Sequence, residues 1–263
     1  MKLTKLSNSG RDTFKQCGLK YLLEYEDKVP DMGDRSALNF GSFIHRIFEE
    51  GVKAKSVEEL EAIGSKFRKE YPFDNSYNGK IKTCLKNFLR FNASLQETVG
   101  IELVFTIPLV EGVAYNGIID RVIKAKNGDY LVIDYKTSKH EKTKLDLYED
   151  NQLRGYVHAL SVKYKVAIEK VQACHYYPLT DNLVRIKYTG AQIRGFLKEL
   201  EKEVSNIQSS KKEDLVPHEN EFCRFCTKRY YCSLFNSAAD SKKRIEEGII
   251  LQKNKSISNT TSI

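Results

Sequence analysis

The stretch that decides the fold is residues 116–137, NGIIDRVIKAKNGDYLVIDYKT. Two runs rich in β-branched and aromatic residues flank Asn127-Gly128, a dipeptide typical of a tight hairpin. Residues two apart in a strand share a face, so Asp134 and Lys136 should point the same way. Asp120 lies on the preceding strand and can approach them across the ladder. The stretch therefore predicts two carboxylates and an ammonium at one end of a small sheet.

The flanking sequence extends this hairpin into a mixed α/β pattern. Hydrophobic periodicity and capping signals predict helices over residues 12–25, 41–53, from Ser56 onward, 79–95, 151–165 and 192–207. Strands are predicted over residues 101–110, 115–123, 130–135, 171–177 and 183–188. This order predicts an α/β fold in which helices flank one central mixed sheet, after an N-terminal helical block.

Composition narrows the class of protein. The chain has 263 residues, a net charge of +8 and six cysteines. No run approaches 18 uncharged apolar residues, and the first ten residues lack the apolar core of a signal peptide, so we expect no membrane association and a cytoplasmic location. In such a reducing compartment, cysteines are more often ligands or buried thiols than disulfides. The positive charge points weakly to a polyanionic partner.

The predicted carboxylate–lysine group has a chemical logic. Carboxylate oxygens suit Mg²⁺ or Mn²⁺, and such an ion polarises a phosphodiester and acidifies bound water. A neighbouring lysine can orient that water or stabilise charge that develops on the phosphate. Taken alone, however, an Asp-x-Lys pair is more often a solvent-facing ion pair between strands.

Four motifs change that balance. The runs NGIIDR (116–121), VIDYKT (132–137) and QLRGY (152–156), with GSFIH (41–45) upstream, closely resemble the RecB-like branch of the PD-(D/E)xK nuclease superfamily. The resemblance implies a restriction-endonuclease-like fold and a metal-dependent nuclease. The implied metal ligands are His45, Asp120, Asp134 and the carbonyl of Tyr135. Lys136 is the catalytic lysine beside them.

Further residues follow from the same resemblance. Gln152 and Tyr156 lie four apart on one helical face and would contact substrate or organise the site, although a packing pair has the same spacing. Glu102, at the start of the first strand, is a second-tier site residue. The second acid is Asp134, where many superfamily members have glutamate.

The cysteines form a second pattern. Cys223, Cys226 and Cys232 have Cys-x₂-Cys-x₅-Cys spacing and need a fourth ligand, whereas Cys84 and Cys174 lie in apolar patterns typical of buried thiols. With Cys17 near the N-terminus, the arrangement is similar to that of the iron–sulfur nucleases of the same superfamily, the AddB-type nuclease domains and the CRISPR-associated RecB-like exonucleases. The resemblance implies a [4Fe–4S] cluster on these four cysteines. Zn²⁺ on the same ligands is the alternative, because spacing does not separate the two.

These motifs lead to one functional expectation. We expect a DNA nuclease, above all an exonuclease acting on single-stranded ends in repair, recombination or DNA processing. The alternatives are a DNA-binding recombination accessory with a vestigial site and an endonuclease of a CRISPR-adaptation or viral DNA-processing complex. No Gly-x₄-Gly-Lys-Ser/Thr phosphate loop is present, so unwinding would need a helicase or another recombination or adaptation partner. Residues 1–252 are predicted to form a single nuclease domain, and residues 253–263 a flexible tail.

Overall fold

The computed structural model describes residues 1–260. The chain folds as two compact units. The central unit is Ser36–Glu201, and the terminal unit combines Met1–Arg35 with the chain from Lys202 onward. The α-helices are α1 (Asn8–Gln16), α2 (Gly18–Tyr21), α3 (Ser36–Glu50), α4 (Val57–Phe67), α5 (Asn78–Ser94), α6 (Lys144–Tyr148), α7 (Asn151–Tyr164), α8 (Gly190–Ser209) and α9 (Ala238–Thr260). The strands are β1 (Lys5–Ser7), β2 (Glu97–Val110), β3 (Val113–Lys124), β4 (Tyr130–Tyr135), β5 (Val171–Tyr177) and β6 (Asn182–Lys187).

The central unit contains a mixed sheet in which β2, β3, β4, β5 and β6 follow one another. Neighbouring strands are antiparallel except for β4 and β5, which are parallel and joined through the crossover that contains α7. This confirms the predicted α/β class with a mixed sheet flanked by helices. The parallel pair lies in the middle, which explains why β4 and β5 are almost entirely buried and apolar.

The hairpin between β3 and β4 forms where Asn127-Gly128 predicted it. Gly128 has a φ of +84°, and the amide of Ala125 donates to the carbonyl of Asp129 at 2.8 Å. Asn127 supports the turn, because its side-chain oxygen accepts from the amide of Asp129 at 3.1 Å. The left-handed conformation falls on a glycine, the residue that adopts it without steric cost.

Helices α3, α4 and α5 build the hydrophobic core of the central unit against the sheet. The rings of Phe48 and Phe88 stack with centroids 4.0 Å apart, and Tyr135 of β4 meets Phe48 edge to face. Helix α4 begins where the capping signal predicted, since the Ser56 hydroxyl accepts from the amide of Glu59. This core holds α3 against the end of β4, where the polar motifs lie.

In the terminal unit, the prediction of one helix over residues 12–25 is wrong. The helix breaks at Cys17, whose backbone is extended with φ −162° and ψ 113°, and α2 then ends in a short π-helix, Leu22–Glu26. The break lies where the chain packs closely on a later segment. A Cβ on Gly18 would be 3.0 Å from the Cα of Leu215, and the amide of Leu19 donates to the carbonyl of Val216.

Helix α9 was absent from the sequence prediction. It extends to Thr260 and so enters the segment expected to be a flexible tail, of which residues 261–263 lie outside the described residues. Its apolar stripe is sparse, and Ile245 and Ile249 pack against the small core of Leu23, Val29 and Tyr231. A single domain over residues 1–252 stays a prediction.

Candidate active site

The two aspartates lie just beyond the point where the β3–β4 ladder ends. Its last backbone pair is Arg121 with Ile133, so Asp120 and Asp134 are the next residues on the two strands. Beyond that pair, the amide of Tyr135 donates to Oδ2 of Asp120 at 2.7 Å. A side chain thus takes the place of a strand carbonyl, and the two carboxylates face the same opening. This is the juxtaposition that the sequence pattern predicted.

A relay of polar side chains connects the strand end to α7. Nζ of Lys136 lies 2.7 Å from Oδ2 of Asp134 and donates to Oε1 of Gln152 at 2.8 Å. Gln152 in turn donates from Nε2 to the hydroxyl of Tyr156 at 2.7 Å. Because the tyrosine fixes the amide of Gln152, its oxygen faces the lysine. The structure therefore places Gln152 and Tyr156 beside Lys136, one turn apart on α7.

Helix α3 brings His45 to the carboxylates. Its Nδ1 lies 3.5 Å from Oδ1 of Asp120, and its Nε2 lies 2.9 Å from the carbonyl oxygen of Tyr135. Gly41, one turn earlier, lets the helix approach the end of β4, because a Cβ there would be 3.2 Å from Oγ1 of Thr137. The Gly-x-x-x-His spacing thus has a steric basis in this chain.

Glu102 joins the same group through an unusual backbone conformation. It lies on β2 between the pairs Ile101–Arg121 and Leu103–Ile119, which places it opposite Asp120. Its φ is +45°, a left-handed value that is strained for a residue with a Cβ. One ligand atom each from His45, Glu102 and Asp120 lies within 4.8 Å of the others. The strain is thus located where a carboxylate is turned into the site.

The pKa values in this group show strong electrostatic coupling. Burial alone would lower the pKa of His45, but the charge of Asp120, the hydrogen bond to it and the charge of Asp134 together outweigh burial and raise the pKa to about 9. Burial raises the pKa of Asp134 to about 6, and Lys136 opposes the shift. Burial, with the charge of Asp120, also raises the pKa of Glu102 to about 7. Three carboxylates in so little space call for compensating positive charge.

The donor set fits a divalent cation. It offers carboxylate oxygens of Glu102 and Asp120 and an imidazole nitrogen of His45, and the carbonyl oxygen of Tyr135 lies 2.9 Å from Nε2 of that imidazole. These are ligand types that Mn²⁺ and Mg²⁺ accept. Asp134 is 2% exposed, and its buried Oδ2 has no hydrogen-bond partner of regular geometry among the described residues, although Lys136 pairs with it. The predicted residues His45, Asp120, Asp134, Lys136 and Glu102 therefore meet in one place, and their individual roles stay predictions.

A cleft of about 480 Å³ opens beside this group within the central unit. Its lining combines His45 and Glu102 with polar groups of α3 and with Tyr71 and Thr137. The cleft therefore gives solvent access to His45 and Glu102.

Sequence reasoning missed a buried group directly behind Asp134. His175 of β5 is fully buried and lies between Asp134 and Asp150, and Lys142 pairs with Asp150 at 2.6 Å. Burial lowers the pKa of His175 to about 4. The available signal was a histidine in the middle of an apolar, parallel strand beside the catalytic one.

The four cysteines singled out by spacing lie together in the terminal unit. Burial raises the pKa of Cys232, and the charges that Cys17, Cys226 and Cys223 would carry raise it further. Backbone amides of His218 and Asn220 donate to the sulfurs of Cys17 and Cys223 at 3.5 and 3.4 Å. Backbone amides thus contact two of the four sulfurs, and a metal or cluster on this set stays a prediction. Cys84 and Cys174 are buried, as predicted.

The aromatic and basic residues around these cysteines are divided between surface and core. Phe225 is 68% exposed, with Arg224 over its ring at 4.6 Å, and Tyr230 is also exposed. Lys228 and Tyr231 are buried instead, and Nζ of Lys228 pairs with Asp31 at 2.7 Å. These two side chains therefore belong to the packing of the terminal unit.

Two carboxylates, a histidine and a lysine gathered at the end of a strand ladder are typical of a metal-dependent nuclease. The family model described as the PD-(D/E)XK nuclease superfamily matches residues 5–233, and the chain belongs to this superfamily. Its nucleases are hydrolases that use divalent metals.

Relatives agree with this assignment. A 181-residue segment is 29% identical to a subunit of an "ATP-dependent helicase/deoxyribonuclease" of Streptococcus agalactiae, covering 60% of this chain and 16% of the relative. The protein of the same name from Streptococcus mutans is 24% identical over 240 residues, 82% of this chain and 20% of the relative. The chain thus spans a fifth or less of the length of these relatives.

A solved structure shares the fold. A protein from Eubacterium rectale, described as a candidate exonuclease, superimposes with a TM-score of 0.57 at 14% identity, covering 85% of this chain and 87% of that one. In the part of the chain that the structure describes, no helix is both long and apolar enough to cross a membrane.

Proposed function

We propose that this nuclease hydrolyses the phosphodiester bonds of DNA and acts as an exonuclease on single-stranded ends. The observation that carries the proposal is the group of His45, Asp120, Asp134 and Lys136 at the end of the β3–β4 ladder. The names of the curated relatives, which include a deoxyribonuclease, favour DNA as the substrate. The net charge of +8 favours a polyanion.

The chain's own residues divide the work as follows. His45, Asp120 and Asp134, with Glu102 and the Tyr135 carbonyl beside them, would hold Mg²⁺ or Mn²⁺, which supplies Lewis-acid polarisation and an acidified water when bound. Lys136, held by Asp134 and Gln152, places a positive charge where the phosphate oxygens become more negative. Tyr156 keeps the Gln152 amide turned toward the lysine.

End-labelled DNA tests the substrate and the mode of cleavage. Linear single strands labelled at either end, a circular single strand, and duplexes with blunt ends should be incubated with the protein and Mn²⁺. We expect linear strands to be degraded to short products and the circle to persist, with chelator abolishing all cleavage. Nicking of the circle would show an endonuclease. Absence of cleavage in every substrate with Mn²⁺ or Mg²⁺ would contradict the proposal.

We further propose that Cys17, Cys223, Cys226 and Cys232 hold a [4Fe–4S] cluster. Their convergence in the terminal unit and the amide–sulfur contacts support a bound group, and the likeness to iron–sulfur nucleases favours this cluster over Zn²⁺. The cluster would close a loop of about 200 residues, which by the analogous disulfide argument stabilises the fold by about a few kcal/mol.

Metal analysis of anaerobically purified protein separates the two metals. We expect a brown protein with about four irons per chain. Cys226→Ser should lose the colour and most of the iron, whereas Cys84→Ala, a buried cysteine outside the set, should keep both. A colourless protein with stoichiometric zinc would overturn the cluster and leave the nuclease proposal standing.

The proposed substrate, single-stranded DNA, raises the question of which protein unwinds the duplex. The curated relatives combine helicase and deoxyribonuclease in their name, and this sequence has no phosphate loop of the helicase type. We therefore propose a helicase as partner, which would supply single strands to this domain. Co-purification of the chain with a helicase that stimulates its cleavage of duplex DNA would support the partner. Stimulation of the same cleavage by added single-stranded DNA, without a helicase, would argue against it.

A further inference from the structure

His175 lies directly behind the candidate metal site without being one of its ligands. It pairs in register with Asp134 across the parallel strands β4 and β5, and its side chain is fully buried. Its Nε2 is 3.5 Å from Oδ2 of Asp134 and 3.6 Å from Oδ2 of Asp150. Among the described residues, Nε2 has no hydrogen-bond partner of regular geometry. Its nearest carboxylate oxygens are therefore these two.

A short chain of hydrogen bonds determines which ring nitrogen carries the proton. The backbone amide of Lys142 donates to the hydroxyl of Tyr177 at 2.8 Å, so the hydroxyl accepts that bond. Its own proton is then free to be donated to Nδ1 of His175, 3.3 Å away. With Nδ1 as acceptor, the neutral ring carries its proton on Nε2. That N–H lies nearest the two carboxylates, whose Oδ2 atoms are 3.5 and 3.6 Å from Nε2, beyond regular hydrogen-bond geometry.

The second carboxylate is itself fixed in place. Asp150 caps α7, since its Oδ1 accepts from the amide of Leu153 at 2.9 Å, and its Oδ2 pairs with Lys142 at 2.6 Å. Helix α7 also carries Gln152, which holds the catalytic lysine. Nε2 of His175 therefore lies between the carboxylate of β4 and the anchored start of the helix that completes the site.

We propose that His175 is a positioning residue that orients Asp134 through its Nε2–H, with Tyr177 selecting the tautomer. The proposal rests on the assignment of Asp134 as a metal ligand in the proposed function. Oδ2 of Asp134 is directed at Lys136 and His175, which orients the other carboxylate oxygen for the cation. Partners of this kind fix the orientation of metal ligands and typically change metal affinity or activity by about 10–100-fold when lost.

Mn²⁺ binding, measured by the electron paramagnetic resonance signal of the free ion, tests the proposal without relying on cleavage. We expect His175→Leu to weaken Mn²⁺ binding by about tenfold or more and to lower kcat with little change in KM for DNA. His175→Gln keeps a donor near the Nε2 position and should recover most of both. Tyr177→Phe should weaken Mn²⁺ binding by a smaller factor, because the ring can then adopt either tautomer. Circular dichroism establishes that each variant is folded.

Tyr176→Phe is the matched control, because it removes one hydrogen bond, to Asp181, from the adjacent buried tyrosine of the same strand. It should bind Mn²⁺ as the parent does. Parental Mn²⁺ affinity in folded His175→Leu, or His175→Gln as weak as His175→Leu, would overturn the positioning role. If His175→Leu does not fold, parental Mn²⁺ affinity in Tyr177→Phe overturns the tautomer chain. A parent that binds Mn²⁺ but cleaves no DNA would instead refute the proposed function and leave this test intact.

Discussion

Glu102 gives the sharpest test of how the site is built, because its backbone and its charge can be separated. Its φ of +45° is strained for a residue with a Cβ, by about 1–3 kcal/mol. Glu102→Gly removes the strain and the charge, whereas Glu102→Gln removes the charge and keeps the strain. Glycine costs about 0.5–1 kcal/mol in unfolded-chain entropy. The glycine variant should therefore be more stable than the glutamine variant by about 1 kcal/mol.

Thermal unfolding in the presence of chelator measures this difference. For a chain of this size, 1 kcal/mol corresponds to a shift in Tm of about 2–4 °C. Both variants should have a higher Tm than the parent at neutral pH, because each removes the repulsion between Glu102 and Asp120. This repulsion is the second cause, next to burial, of the raised pKa of Glu102. Both should bind Mn²⁺ more weakly than the parent, by similar factors. A glycine variant no more stable than the glutamine variant would refute the reasoning that strain is stored at this position.

Three further substitutions, followed by thermal or denaturant unfolding, test the packing of the central unit and a buried ion pair of the terminal unit. Gly155→Ala should destabilise by about 1–3 kcal/mol, because its Cβ would be 2.2 Å from the buried hydroxyl of Tyr115, whereas Gly195→Ala in α8, with no atom within 4 Å of the new Cβ, should be neutral or stabilising; equal effects would contradict the packing. Glu203→Gln should destabilise the fold by about 3–5 kcal/mol at pH 7, because it removes the carboxylate that pairs with the buried guanidinium of Arg11. Burial would raise the pKa of Glu203, but the hydrogen bonds and charges of Arg11 and Lys15 together outweigh burial and lower the pKa. The stabilisation by Glu203 is therefore present above the unfolded pKa and is lost as pH falls below about 4. A variant–parent difference that persists undiminished at pH 3 would contradict this pairing.

Much of the central sheet could be predicted from the sequence, for identifiable reasons. The β4 and β5 strands have the predicted limits because each is a buried run of mostly aliphatic and aromatic residues. Asn127-Gly128 gave the hairpin, and Ser56 gave the start of α4. Each of these signals depends only on residues that are close together in the sequence, and the structure retains each of them.

Features that depend on distant parts of the chain could not be predicted in this way. The break at Cys17 requires knowledge of Leu215 and Val216, which pack against Gly18 and Leu19. The left-handed backbone of Glu102 depends on its place opposite Asp120, and no feature of the residue itself indicates it. His175 was hidden for a similar reason, because only the parallel pairing of β4 and β5 places it behind Asp134.

The terminal unit was the harder part to predict. The resemblance carried by the cysteine spacing predicted that the four cysteines lie close together. Helix α9 went unpredicted because its contacts with the core of Leu23, Val29 and Tyr231 are few. Lys228 shows the same limit, since its burial against Asp31 depends on a segment almost 200 residues away.

Cleavage and Mn²⁺ binding measured on the same variants of the carboxylate–lysine group test the central claim most directly. Asp120→Asn should lose both, because it removes a ligand from the donor set. Lys136→Met should lose cleavage of labelled single-stranded DNA by at least about 100-fold while it still binds Mn²⁺, because its ammonium touches Asp134 without being a ligand. Cleavage at the parental rate by folded Lys136→Met would contradict the account.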